Sequence, residues 1–418
     1  MKVLILTNYY YPESVGTGVQ YTQLAQDLKA RGHEVTVVAS YPSYPQGRIF
    51  EGYRNRLASC QTIDGVEIIR TLTWATPNKA FWPQLAKFGT FCLSAAPGYL
   101  RWRRRVDVVL SLLPPLPLGV SAWMIAKASG ARLVVNVQDL YPDLAVALDY
   151  LTNSAAVAFF RAMERWIYRR SDSIVVISDG FRQNLLGKGV APHKIRVVPN
   201  WADPEQIVPM PSDNAFRRET GASGELLVVY SGGLGYNAEL ETVLDAAVQL
   251  RGLAVRFAIV GDGVQKRALA EKAASAGLDN VKFFPFQPIE RYGETLAAAD
   301  VTLVTLNSAA TFASVPSKIY KQMAAARPIV AITNPGNELD RLIQDAQCGV
   351  TAPPGDSQCL AAALRRALEE RDAFAEMGRR GRAYLERNCS RRICVAQVEA
   401  VLAEVCAGPR AGSARKVA

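Results

Sequence analysis

At 418 residues, with 49% hydrophobic and 21% charged positions, the chain can bury the cores of two ordinary domains, which excludes a disordered or fibrous protein. A net charge of +10 favours acidic partners: nucleotides, nucleic acid or anionic lipid headgroups. Seven cysteines without regular spacing and only two histidines argue against a disulfide framework and a zinc site.

The first residues, "MKVLIL", open directly into a strand-like run without a secretory signal, which predicts a protein on the cytosolic side of a membrane. "KVLILT" reads as a buried strand, "GVQYTQLAQDLKARG" as an amphipathic helix ended by Gly32, and "EVTVVAS" as the next strand. "VEIIRT", "DVVLSL", "RLVVNVQD", "SIVVIS" and "IRVVPNWAD" continue the series. The apolar stretch 106–128 is interrupted by Pro114, Pro115 and Pro117, so it predicts a strand, a loop and a helix rather than a membrane span. Residues 204–223, rich in proline and polar positions, predict a linker. The pattern then restarts with "LLVVYSG", the helix "AELETVLDAAVQL", "VRFAIVGDG", "VKFFPF", "VTLVTL", "RPIVAIT" and "CGVTAPPGD". Short apolar runs separated by helices imply βαβ units, hence an α/β protein of two doubly wound domains, 1–203 and 224–385, facing a cleft. A last helix is expected within 386–406, packing back on the first domain, before a disordered tail at 407–418.

Three loops after strands carry glycines that would let a phosphate approach the backbone. They contain Gly16 and Gly18, then Ser231 and Gly232, then Gly261, Asp262 and Gly263. None is a full dinucleotide fingerprint, and each is also compatible with a tight strand-to-helix turn. "SVPSKIYKQMAAARPIVA", 314–331, opens a helix with Ser317 and Lys318, where the macrodipole disfavours a cation unless an anion lies between. The competing reading is a solvated surface lysine.

"YPESVGTGVQYTQLAQDLKARGHEVTVV", "VVNVQDLYPD", "VVPNWAD", "IVGDG", "VPSKIYKQMAAARPIVA" and "NPGNELDRLIQDAQCGVTAPPGD" occur in that order. As a set they resemble the retaining nucleotide-sugar glycosyltransferases of family 4, which have the GT-B fold. Within these, the likeness is to exopolysaccharide and O-antigen enzymes of the colanic-acid type, related to fucosyl and N-acetylfucosaminyl transferases. The resemblance implies an acceptor-side first domain and a nucleotide-sugar-binding second one. It places Gly16 and Gly18 at the donor diphosphate, Ser231 and Gly232 opposite them, and Gly261, Asp262 and Gly263 beside the nucleoside, with Phe286 near the base. Asn200 falls in the donor set, as does Lys321. Ser314, Val315, Pro316, Ser317 and Lys318 would present N–H groups and one ammonium to the diphosphate.

The sequence departs from the family where an Arg/Lys clamp is usual, reading Gly233 and Ala238, and where Glu-x7-Glu is usual, reading Ala313 and Lys321. The usual histidine after the fourth strand is replaced by Gln138-Asp139; His33 reads as structural and His193 as a loop residue. A retaining transfer needs little protein acid–base chemistry, because the leaving diphosphate can take the acceptor proton while cations and N–H groups stabilise it. Lys318, Asp139 and Glu13 form the candidate catalytic set, with no metal or cofactor besides a UDP- or GDP-linked sugar as substrate. Asp139 and Asp143 are acceptor candidates, since strand-end carboxylates can hold sugar hydroxyls; alternatively Asp139 caps "LYPDLAVAL".

The stretch 81–105 combines Trp82 and Phe88 with Arg101, Trp102, Arg103, Arg104 and Arg105. It reads either as an amphipathic helix on an anionic membrane surface or as a core-facing helix ending in a basic turn. The resemblance implies a polyprenyl-diphosphate-linked glycan as acceptor, hence a peripheral position on the inner face of the plasma membrane. A rival reading is a non-catalytic GT-B subunit supporting a partner transferase. Nucleic acid is not an expected partner, because no aromatic-basic reader motif accompanies the charge.

Overall fold

The computed structural model describes residues 1–13, 16–77, 81–102, 104–235, 238–308 and 315–408, with the side chains of Phe81 and Trp82 excepted. Ser314, Ala313, Arg103 and the tail from 409 on therefore lie outside the described residues. The chain divides into two compact units, Met1–Pro199 with Cys394–Ala418, and Asn200–Ile393.

In the first unit β1 (Lys2–Thr7), α1 (Gly16–Ala30), β2 (Glu34–Ser40), β3 (Ala58–Ile63) and β4 (Val66–Thr71) come first. They are followed by α2 (Phe81–Leu100), β5 (Val108–Leu113), α3 (Leu118–Ser129) and β6 (Arg132–Val137). The run ends with α4 (Asp143–Ala147), α5 (Ser154–Arg170), β7 (Ser173–Val176), α6 (Asp179–Gly187) and β8 (Ile195–Val197). The eight strands form one sheet in the order β3-β4-β2-β1-β5-β6-β7-β8. Every neighbouring pair is parallel except β3 with β4. Val3 to Leu6 and Val108 to Leu110 are all buried, as continuous apolar runs must be in a sheet covered on both faces. β3 was absent from the strand series read from the sequence. It is an antiparallel edge strand, and the polar run "ASCQTI" carries no buried apolar stripe. The stretch 106–128 resolves into β5, a proline loop and α3, and no described helix is long and apolar enough to cross a membrane.

The second unit contains α7 (Ala215–Thr220), β9 (Leu226–Ser231), α8 (Leu240–Gln249), β10 (Val255–Val260), α9 (Lys266–Ser275) and β11 (Val281–Phe284). Then come α10 (Ile289–Ala298), β12 (Val301–Thr305), α11 (Lys318–Ala324), β13 (Ile329–Ile332), α12 (Glu338–Ala346) and β14 (Gly349–Ala352). Its six-stranded sheet is parallel throughout, ordered β11-β10-β9-β12-β13-β14. Tyr230, Leu244, Phe257, Leu303, Val330 and Leu360 share its principal core. α13 (Ser357–Glu369), α14 (Arg371–Tyr384) and α15 (Arg391–Ala407) complete the chain.

The stretch 204–223, expected as a linker, belongs instead to this second unit. The Asn214 side chain caps α7 by accepting the Arg217 N–H. Arg217 is buried and pairs with Asp300 at 2.9 Å, while Arg382 donates to the carbonyls of Pro204 and Ile207. Proline content hid these contacts because they depend on distant arginines. From Cys394 on, α15 belongs to the first unit, where Glu399 accepts Arg31 and His33, each at 2.7 Å. His33 also contacts the Met1 amine through Nδ1, so it joins the strand edge to the last helix.

Candidate functional site

In the second unit the carboxyl ends of β9 and β10 lie side by side, with Ser231 in register with Val260. Their following loops interlock. Gly232 N–H donates to Val260 O at 3.0 Å, Leu234 N–H to Asp262 O at 2.9 Å and Gln265 N–H to Leu234 O at 3.0 Å. A Cβ on Gly261 would lie 1.9 Å from Gly232 O, and one on Gly263 2.2 Å from Leu234 O. Both positions are glycine because two backbones touch there.

The one-turn spacing of Lys318 and Lys321 on α11 delivers two ammonium groups to this region. Lys318 Nζ sits 4.0 Å from the centre of the Tyr230 ring, and only 2.8 Å from where a Cβ of Gly232 would stand. The Tyr230 hydroxyl donates to Gly233 O at 2.8 Å, which fixes that ring against the glycine turn. Lys321 Nζ lies 5.1 Å from the Tyr292 ring, and the Tyr292 hydroxyl bonds the side chain of Ser231. Burial pushes the Tyr292 phenol up to about 12, against the lowering effect of that bond. Burial also lowers the pKa of Lys321. Neither lysine has a carboxylate partner among the described residues. Ser317 precedes α11 without a side-chain cap bond, next to Pro316 and buried Val315. Asp262 accepts the N–H of Gly263 at 2.9 Å, and Phe286 is exposed beyond β11. Asn200 is buried at the start of the unit. Gly233 faces open space, and half-buried Ala238 packs against the core, so neither supplies the charge expected of a clamp.

In the first unit the carboxyl ends of β1, β2 and β4 gather a second polar group. Glu13 is buried, and its Oε1 accepts the N–H groups of Ser43 and Tyr44 at 2.8 and 2.9 Å. Lys87, buried on α2, faces it and lies 5.3 Å from the Tyr9 ring, which meets Tyr44 edge-on at 5.7 Å. Burial raises the Glu13 pKa despite the two N–H donors, Lys87 and Arg70; burial likewise lowers that of Lys87, against the Glu13 charge. Arg70 is wholly buried, donating to Ser40 O at 3.0 Å and to Tyr11 O, with its guanidinium 5.7 and 5.8 Å from the Tyr10 and Tyr53 rings. Glu13 Oε2, Ser43 Oγ and Arg70 Nε have no partner among the described residues. One oxygen of Glu13 thus anchors the loop after β2, while the other is buried without a hydrogen-bond partner among the described residues. Gly16 and Gly18 open α1, where Gly18 O accepts the Thr22 hydroxyl at 2.8 Å.

Asp139 lies between β6 and α4, and Asp143 opens α4. Asp139 does not cap the helix that follows: the α4 cap position is Pro142, without a side-chain bond. Its charge acts on half-buried Tyr141, whose phenol is pushed up to about 12, first by burial and then by Asp139. Asp143 is held by Lys188 at 2.8 Å; the same ammonium reaches buried Glu164 at 2.6 Å, tying α4, α5 and the end of α6 together.

α2 buries Phe91, Cys92, Ala95, Ala96 and Tyr99, so most of its apolar content faces the core and Phe88 is half-buried. Arg104 pairs with Glu67 at 2.6 Å, Arg101 and Arg105 are exposed, and Trp102 is half-buried beside Arg101. The Trp82 side chain and Arg103 lie outside the description. Sequence reasoning missed Tyr230, Tyr292, Arg70 and Lys87. The last two had a signal: each is the one basic residue of a largely apolar strand or helix.

Residues 15–201 match the family "Glycosyl transferase 4-like domain" and residues 212–384 match "Glycosyl transferases group 1". WcaI of Escherichia coli (strain K12), which carries the name of a colanic acid biosynthesis glycosyl transferase, is 28% identical over 88% of this chain and 92% of its own. WbjE of Pseudomonas aeruginosa, which carries the name of a glycosyltransferase, is 30% identical over 69% of this chain and 72% of its own. Among solved structures, Anabaena HepE in complex with UDP and glucose aligns with a TM-score of 0.72 over 97% of this chain and 100% of that one, at 17% identity. That likeness shows the fold, which is GT-B, and not the substrate. With two interlocked glycine turns at parallel strand ends, a glycosyltransferase family model matched in each unit and WbjE at 30% identity, the chain belongs to the glycosyltransferases and is a transferase enzyme.

Proposed function

We propose that this enzyme is a retaining transferase that moves a sugar from a UDP- or GDP-linked donor to a polyprenyl-diphosphate-linked glycan. The setting is exopolysaccharide or O-antigen synthesis, with the protein cytoplasmic and peripheral on the inner face of the plasma membrane. The name carried by WcaI supports the exopolysaccharide setting, and UDP in the HepE complex supports a nucleotide sugar as donor.

The observation that carries the reading is Lys318, an ammonium resting on an aromatic face at a glycine turn, without a carboxylate to neutralise it among the described residues. Such a group can stabilise charge on a departing diphosphate, which in turn takes the proton of the attacking hydroxyl. On the acceptor side, Glu13 Oε2 and Ser43 Oγ are unpartnered polar atoms of the kind that bind sugar hydroxyls. A fucosyl-type donor is one member of the sugar class to test.

The test is nucleotide release from UDP- and GDP-sugars with a polyprenyl-diphosphate glycan as acceptor. Acceptor-dependent release of one nucleotide is expected, and its loss in Lys318→Ala with the fold intact. Full activity in that variant would refute the role given to Lys318.

A further inference from the structure

α2, α3 and α5 are consecutive neighbours in the first unit: Ser121 Oγ on α3 donates to Cys92 O on α2, and Trp123 on α3 meets Trp166 on α5 at 5.0 Å. Together these helices contain a single acidic residue, Glu164, which is buried and neutralised by Lys188. Their outward positions combine large apolar side chains with basic ones. Leu93 is 80% exposed, Phe159 59% and Met124 47%, so each presents a large apolar surface to solvent. Arg165, Arg169 and Arg170 on α5 make no ion pair among the described residues. Elsewhere exposed helical arginines do pair, as Arg366 does with Glu370 and Arg379 with Glu376. The Arg170 guanidinium lies 4.5 Å from the Trp166 ring and 5.2 Å from that of Trp123, with Lys127 5.0 Å from the latter. Indoles capped by cations, beside exposed aliphatic and phenyl groups, suit the boundary between headgroups and acyl chains.

From this charge pattern we infer that the outward face of α2, α3 and α5 is the surface by which the enzyme docks on an anionic bilayer. α5 and α3 supply the wedge of Phe159, Met124 and the two tryptophans, rather than the 81–105 segment alone. The lack of exposed acid is what commits the face to lipid: an acidic protein partner would be met by charge, but would leave Leu93, Phe159 and Met124 needing a matched apolar surface. The inference rests on the lipid-linked acceptor proposed above, since a soluble acceptor calls for no membrane.

The test floats the full-length protein with phosphatidylcholine vesicles, with or without phosphatidylglycerol. Binding to the phosphatidylglycerol vesicles alone is expected. At about 1 kcal/mol per basic residue near the surface, Arg165→Gln/Arg169→Gln should weaken it by about thirty-fold. Met124→Ser/Phe159→Ser should abolish flotation, and both double variants should keep the wild-type melting temperature, because all four side chains are exposed. Flotation of both variants at the wild-type level would overturn the inference. So would a dimer that Met124→Ser/Phe159→Ser breaks without any vesicle binding, which would assign the face to a second copy. Acceptor-dependent nucleotide release in detergent without flotation would overturn the docking face while leaving the transferase reading intact.

Discussion

Gly232→Ala separates the fold from the site. Gly232 lies outside the positive-φ region, so alanine fits its backbone. A Cβ there would stand 2.8 Å from Lys318 Nζ and 3.3 Å from both Lys318 Cε and the Tyr230 hydroxyl. What must shift is the far end of a flexible side chain. The fold loses at most a cation–π contact of about 0.5–2 kcal/mol, offset by about 0.4–1 kcal/mol from a stiffer unfolded chain. The net is near zero, and for a unit of this size 1 kcal/mol moves the melting temperature by about 2–4 °C. Binding is different, because the displaced ammonium no longer meets an anion at the turn. A charge-assisted hydrogen bond of about 1.5–3 kcal/mol corresponds to roughly a ten- to 150-fold loss of affinity. Titration calorimetry with UDP and GDP, beside thermal melting, reads both quantities. Wild-type affinity in Gly232→Ala, together with a loss in Lys318→Met, would break the link between the turn and the ammonium.

Three further outcomes follow from the same geometry. Gly261→Ala drives a Cβ to 1.9 Å from a backbone oxygen at a φ of 155°, so the second unit should lose roughly 3 kcal/mol or more. A melting temperature within a degree or so of wild type, by calorimetry, would contradict the contact. Lys188→Met strands buried Glu164 without its ammonium, leaves Asp143 only the Arg161 contact at 3.9 Å, and should cost about 3 kcal/mol at neutral pH in urea unfolding. Burial already raises the Glu164 pKa, and without Lys188 it rises further. The folded state then holds its proton more tightly than the unfolded one, so stability falls as pH rises through the folded value, and the deficit should shrink towards acid pH. A deficit independent of pH would show that Glu164 is not the stranded charge. Lys321→Met removes an ammonium whose pKa burial depresses, a group that costs stability while charged and ceases to do so as pH rises towards its unfolded value near 10.5. Wild-type melting should therefore gain on the variant through the alkaline range; parallel curves would disprove the buried charge.

The fold was legible where strands are buried on both faces, because "KVLILT", "LLVVYS" and "VRFAIV" have no solvent face to dilute their apolar run. β3 was not, since this edge strand, paired on one side, carries Ser59, Gln61 and Thr62 among its six residues and resembles a loop. α2 was legible as a helix but not in orientation: an apolar run with Lys87 as its single charge fits a membrane or a core equally. Only the tertiary contact with Glu13 shows that the lysine points inward. The pairing of Asp143 with Lys188 was not legible either, because the two lie 45 positions apart in the chain.

Lys318 was legible from its position at a helix start, but the rings beneath it were not, since cation–π stacking has no fixed sequence spacing. Those rings explain how two lysines of one short helix stay available. Lys188 shows the opposite arrangement, clamped by two carboxylates at 2.8 and 2.6 Å and left with little charge to offer a ligand. Lys318 and Lys321 rest on Tyr230 and Tyr292 instead. An aromatic face shields a cation from water on one side while adding no formal charge, so the field of the ammonium on its open side stays uncompensated. Replacing either tyrosine by a carboxylate would hold the lysine more tightly and silence it. Keeping a ring there, at the cost of a depressed Lys321 pKa, is the arrangement that the proposed diphosphate role of these lysines calls for.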